Sequence, residues 1–233
     1  MSIVAVVTIL AINQLLERIL NTLAAFTKPH TISGLETRIA KFIFIAQYVN
    51  TALLVMLVNG EWSSVVNPQL QKTLGITNLL QSLPGTMKDT NSDWYALVGE
   101  KVFMQTVTAS FTPNLTTLAK WPQAVMMQQL LKERKLTQRE LNRLYEGPEY
   151  LLSKRYGSML NIMFVIFTYA SSIPTLYFFG IVFFVTAYWC DKIAILRAVK
   201  KPAQYDEKLA VFCTNMMSVG TLIHLAFGSW FFG

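Results

Sequence analysis

The chain has 233 residues, of which 53% are hydrophobic and 14% charged, and its formal net charge is +7. An average soluble domain carries roughly a quarter charged residues, so this composition points away from a soluble enzyme or nucleic-acid-binding domain and toward a polytopic membrane protein. The positive charge then reads as basic loops beside anionic lipid, and no basic stretch is interleaved with aromatics as nucleic-acid recognition requires. The two cysteines, Cys190 and Cys213, both lie in apolar runs and support neither a disulfide framework nor a cysteine-rich zinc site.

In chain order, the apolar runs predict an all-α transmembrane bundle of about six spans: 3–26, 39–59, 95–119, 157–172, 174–199 and 209–231. The first lacks a basic leader and carries Asn13, Gln14, Glu17, Arg18 and Asn21, so it reads as a retained helix with a polar stripe. The second has Gln47 and Asn50 three residues apart, hence on one face. An external loop, 60–94, is expected next, with a short helix near 70–83. The third span is the most polar. It leads to a cytoplasmic amphipathic segment, 120–156, in which Thr137 and Glu140 form a capping-box pattern and Gly147-Pro148 predicts a stop. Pro174 predicts a tight break between the fourth and fifth spans. The sixth ends in FGSWFFG, whose aromatics suit a membrane interface. All of this forms a single transmembrane domain, 1–233.

Loop charge sets the expected orientation. The loops after spans one, three and five hold Lys28, Arg38 and Lys41; Lys132, Arg134, Lys135, Arg139, Arg143, Lys154 and Arg155; and Lys192, Arg197, Lys200, Lys201 and Lys208. The alternate loops hold Lys72 and Lys88 alone. The basic loops are therefore expected on the cytoplasmic or equivalent side, and both chain ends opposite.

No nucleophile–base constellation, GxGxxG, P-loop or HExxH pattern occurs, so enzyme activity is not expected. His224, alone in an apolar helix, reads as a hydrogen-bonded packing residue. The polar groups inside the spans remain, with Gln47, Asn50, Gln105, Asn114 and Asn161 as candidate pore-lining residues. They fit a polar path and ordinary interhelical hydrogen bonding equally. Asp191 closes the apolar run IPTLYFFGIVFFVTAYWCDK. Two readings of it stand: the remnant of an ion site, or a charge paired with Lys192 or Arg155 at the membrane edge.

Two stretches carry a resemblance. TKPHTISGLETRIAKFIFIAQYVNTALLVML resembles the anoctamin region joining the fourth and fifth transmembrane helices, with Lys41, Phe42, Phe44, Gln47, Tyr48 and Asn50 in its Lys-Phe-aromatic-Gln-aromatic-Asn run. Pro174, Asp191 and Lys200-Lys201-Pro202 resemble, in order, the anoctamin seventh-to-eighth helix hairpin. Val182-Phe183-Phe184 and Ala187-Tyr188 are similar to a motif of the OSCA-type osmosensitive calcium channels, which share that fold. The resemblance implies a divergent or minimal member equivalent to helices four to nine of the ten-helix core, with passive cation conduction or lipid scrambling as its activity. It also implies that Asn50 faces the path and that Asp191 occupies a calcium-ligand position. Ala187, Arg155 and Ser158 fall where the family's other ligands stand, and one carboxylate cannot supply the six to eight oxygens that calcium takes. The metal site is thus incomplete, and no cofactor is expected. Membrane lipids are the expected partners, with a homodimer or other membrane subunits beside them. The alternative is a non-transporting structural subunit of a larger membrane assembly.

Overall fold

The computed structural model describes residues 31–59, 91–134, 137–200 and 205–232, together with six isolated helical positions: Leu15, Arg18, Ile19, Thr22, Leu23 and Phe26. The expected span 3–26, those six positions apart, and most of the expected loop, including its helix near 70–83, lie outside the described residues.

Helix α1 runs through Ile32–Tyr48, a π-helical turn Val49–Leu53, and Leu54–Asn59. Thr31 opens it by accepting a hydrogen bond from the Gly34 amide at 3.1 Å, which satisfies one of the free donors of the first turn. Helix α2 starts at Ser92–Trp94, where the Asn91 side chain accepts from the Trp94 amide. It passes through a π-helical turn, Tyr95–Gly99, and continues as Glu100–Leu131. Helix α3 is Gln138–Glu146, capped by Thr137 as the sequence predicts and stopped by Gly147 at φ 76°. Helices α4, α5 and α6 are Leu152–Tyr169, Thr175–Arg197 and Lys208–Phe232. The expected break stands at 170–174, with Pro174 as the first cap of α5. No strand occurs among the described residues.

Helix α4 is the hub. Every residue from Leu160 to Ile166 is buried. It packs most extensively on α1 and then on α6, and it also touches α2 and α5, which run along each other. The Phe164 ring meets Phe44 at 4.6 Å and Tyr48 at 5.4 Å, edge to face. Gly157 lets α1 come close, because a Cβ there would stand 2.9 Å from Ile43 Cγ2. Small residues at such crossings are how helices associate without a hydrophobic drive between them. The outer faces are apolar: Phe178, Ile181, Val185 and Leu196 of α5 and Val211, Leu222 and Leu225 of α6 are exposed.

Three helices are long and apolar enough to cross a membrane: Ile32–Met56, Thr175–Arg197 and Lys208–Phe232. These answer to the second, fifth and sixth expected spans. The expected span 95–119 falls within α2 and 157–172 overlaps α4 as far as Tyr169, and neither helix has that composition. The difference has a physical reason. Gln105, Thr106, Ser110, Asn114 and Thr117 of α2, and Ser153, Arg155 and Asn161 of α4, are buried against other helices. Those faces therefore do not need to match hydrocarbon.

Contacts between helix ends define two ends of the bundle. At one, Glu36 Oε2 accepts from the Ser153 amide at 3.0 Å, Ser33 Oγ accepts from the Asp206 amide at 2.9 Å, and the Lys200 amide donates to Pro148 O at 3.0 Å. At the other, Tyr95 OH donates to Ser172 O at 2.9 Å and Trp94 meets Phe231 edge to face. Helices α1, α2, α4, α5 and α6 thus alternate in direction.

Candidate functional site

A cavity of about 390 Å³ lies between α1, α2, the segment 149–151 and α4. Gln47 of α1 stands on its wall. Helix α2 contributes Ala109, Thr112, Pro113, Thr116, Thr117 and Lys120, and α4 contributes Lys154, Arg155, Ser158, Asn161 and Ile162. From Ala109 to Lys120 is roughly 17 Å along the helix, about half a hydrocarbon thickness. Pro113 lacks the N–H that would bond the carbonyl of Ala109, and both residues line the cavity. The Thr112 and Thr117 hydroxyls bond back to carbonyls of their own helix, Thr108 O and Pro113 O, at 2.8 Å. The wall is therefore polar while its hydroxyls tie no two helices together.

Glu149, Tyr150 and Leu151 close the basic end of the cavity. Lys120 Nζ sits 5.4 Å from the centre of the Tyr150 ring. Burial and, after it, the nearby Asp191 carboxylate push the Tyr150 phenol above its ordinary range, so it remains a neutral hydroxyl at physiological pH.

Behind the wall, a polar network fastens α2, α4 and α5. Arg155 Nε donates to Asp191 Oδ2 at 3.0 Å and lies 2.9 Å from Oδ1. Arg155 Nη2 donates to Asn114 Oδ1. The Asn114 amide nitrogen donates to Thr186 Oγ1 at 2.8 Å and lies 3.3 Å from Phe183 O. The guanidinium stands 6.0 Å over the Phe183 ring. One Nε proton can point at only one carboxylate oxygen, so Asp191 Oδ1 gains ionic contact without an aligned hydrogen bond. Arg155 Nη1, also buried, has no hydrogen-bond partner.

The expected site residues divide among these features. Gln47 and Asn161 share the cavity wall, and the Thr51 hydroxyl links them, 2.7 Å from Gln47 O and 3.0 Å from Asn161 Oδ1. Asn114 sits in the network, one layer behind the wall. Gln105 is buried further along α2, and Asn50 is half-buried in the π-helical turn of α1. Neither lines this cavity. Of the two readings of Asp191, the ion pair is the one observed, with Arg155 rather than Lys192. The Lys192 ammonium instead lies over the Trp189 and Tyr188 rings, at 5.1 and 5.7 Å. Among the described residues no group of three His, Cys, Asp or Glu could hold a metal ion. His224 packs as expected: its Nδ1 faces Phe167 O at 2.8 Å, so that nitrogen donates, and Tyr177 OH meets Nε2 at 2.8 Å.

Sequence reasoning missed four contributors. Lys120 and Tyr150 were hidden as membrane-edge residues, although a lysine ending a hydroxyl-rich run was a usable signal. Thr186 was hidden in an apolar run. Glu36 caps the first turn of α4 from another helix, a long-range contact that no local pattern carries.

Comparison with models of protein families, with curated proteins and with solved structures finds no match to this chain.

Proposed function

We propose that this chain is an integral membrane protein that gives ions or lipid headgroups a polar passage between its helices, as the anoctamin and OSCA-type proteins it resembles do. The observation that carries this reading is the cavity of about 390 Å³, whose wall carries the amides of Gln47 and Asn161 and a row of α2 hydroxyls that ends at Lys120. Such groups replace water around a moving solute, since lipid offers none.

A second reading, a structural subunit of a larger membrane assembly, draws on a different observation. The Arg155–Asp191–Asn114–Thr186 network joins three helices through its own groups, as a rigid scaffold requires.

Liposome flux decides between them. Thr116 is exposed, and its hydroxyl bonds only Pro113 O of its own helix. A phenylalanine there narrows the cavity without uncoupling any helices. The purified chain is expected to pass monovalent cations or scramble labelled phospholipid in liposomes. Thr116→Phe is expected to slow that flux at least severalfold with its detergent melting curve unchanged. Absence of flux from the wild-type chain refutes the transport reading and leaves the subunit.

A further inference from the structure

We infer that the cavity is a binding site for a phosphate group, of the kind a phospholipid headgroup presents. This deepens the transport reading and rests on it for the membrane setting of the cavity. The two are separable, because binding requires no flux.

Three observations carry the inference. The first is Arg155, 7% exposed and on the cavity wall, whose Nη1 has no acceptor. A guanidinium spreads its charge over five donors in a plane. Here Nε is used by Asp191 and Nη2 by Asn114, which leaves Nη1 as an unsatisfied buried donor. Such a group is costly unless an acceptor reaches it. The second is the size and chemistry of the space. A water takes about 30 Å³ of liquid volume, so about 390 Å³ holds far more than one bridging water and falls in the range of small-ligand sites. The cations Lys120 and Lys154 and the Ser158 hydroxyl line it. Asp191 balances Arg155, and among the described residues Glu149 is the one acidic residue on the wall. A wall with two lysines and an arginine against one glutamate fits phosphate oxygens better than a metal cation.

The third is the level of the site. Trp121, the neighbour of Lys120, is exposed and carries the Arg197 guanidinium 6.0 Å over its ring. Tyr188 and Trp189 of α5, under Lys192, are also exposed. Exposed tryptophan and tyrosine beside basic groups mark headgroup depth. The cavity therefore opens where phospholipid phosphates lie.

The test is a binding titration of the full chain in a phosphorus-free maltoside detergent, with three probes: soluble dihexanoyl phosphatidic acid, dihexanoylglycerol and inorganic phosphate. Saturable binding of the phosphatidic acid is expected, with no competition from dihexanoylglycerol. Lys120→Gln and Arg155→Lys should each weaken it on the order of tenfold. The lysine variant keeps a cation for Asp191 and deletes the unpartnered Nη1 donor. Should it fail to fold, Lys120→Gln decides alone. Inorganic phosphate binding more weakly than the phosphatidic acid supports a lipid source. Equal affinity supports the phosphate site with a soluble anion as its occupant. No saturable binding, full competition by dihexanoylglycerol, or affinities unchanged in Lys120→Gln overturn the inference. Binding without liposome flux would keep the site and refute transport, whereas flux without binding would do the reverse.

Discussion

At the scale of single residues, the pair Arg155–Asp191 governs the interior. Both side chains are largely withdrawn from water, at 7% and 17% exposure. Removing one charge leaves the other buried and uncompensated, a cost of about 3 kcal/mol or more. Asp191→Asn is therefore expected to lower the detergent melting temperature markedly. Arg155→Met combined with Asp191→Leu should recover most of the loss, short of the unpaired Asn114 carbonyl. Equal melting of Asp191→Asn and wild type would mean that the pair is solvated and not a fastening. The sequence announces this pair only in part. Asp191 and Lys192 close an apolar run, so a charge at the membrane edge is legible, but the partner is 36 residues away and adjacency favours Lys192 just as well. The folded geometry decides, because the Lys192 stem points outward to the Tyr188 and Trp189 rings while Arg155 faces inward from α4.

At the scale of elements, the boundaries that local chemistry sets were readable. Thr137 caps α3, Gly147 ends it and Pro174 begins α5. The length of α2 was not. A hydropathy fall at Lys120 and a proline at Pro122 look like a terminus, yet the helix continues to Leu131. Hydropathy reports where a helix leaves hydrocarbon, and backbone hydrogen bonding continues beyond that point. Gly147 yields a prediction at this scale. Its φ of 76° and ψ of 178° fall in a region essentially reserved for glycine, where other residues cost about 1–3 kcal/mol. A Cβ there would also stand 2.6 Å from Ala198 O, at the end of α5. Gly147→Ala should lower the melting temperature through both effects. Gly147→Pro forbids the positive φ altogether and should be worse. If Gly147→Ala melted like wild type, α3 would not be fixed to the end of α5 through this turn.

At the scale of the whole molecule, charge and direction coincide. The end formed by 49–59, 91–103, 166–178 and 219–232 has Lys101 as its single Lys or Arg among the described residues. The opposite end gathers Arg38, Lys41, Lys120, Lys132, Arg134, Arg139, Arg143, Lys154, Arg197, Lys200 and Lys208. A bundle inserted in a bilayer holds such an end on the cytoplasmic or equivalent face, since lysine- and arginine-rich loops resist translocation. The alternating directions of α1, α2, α4, α5 and α6 are what make the prediction testable at two points. Gln138, at the start of α3, and Ser92, at the start of α2, are both exposed and lie toward opposite ends. Single cysteines at these positions need a background in which Cys190, half-buried, and Cys213, buried, are replaced by alanine. In sealed cells or oriented vesicles, an impermeant maleimide applied outside should modify the cysteine at position 92, and the one at 138 only after permeabilisation. The reverse pattern would invert the orientation and place the phosphate cavity in the outer leaflet. Modification of both from one side would mean that α2, the one helix between them, does not cross the membrane, and the transport reading would fall with it.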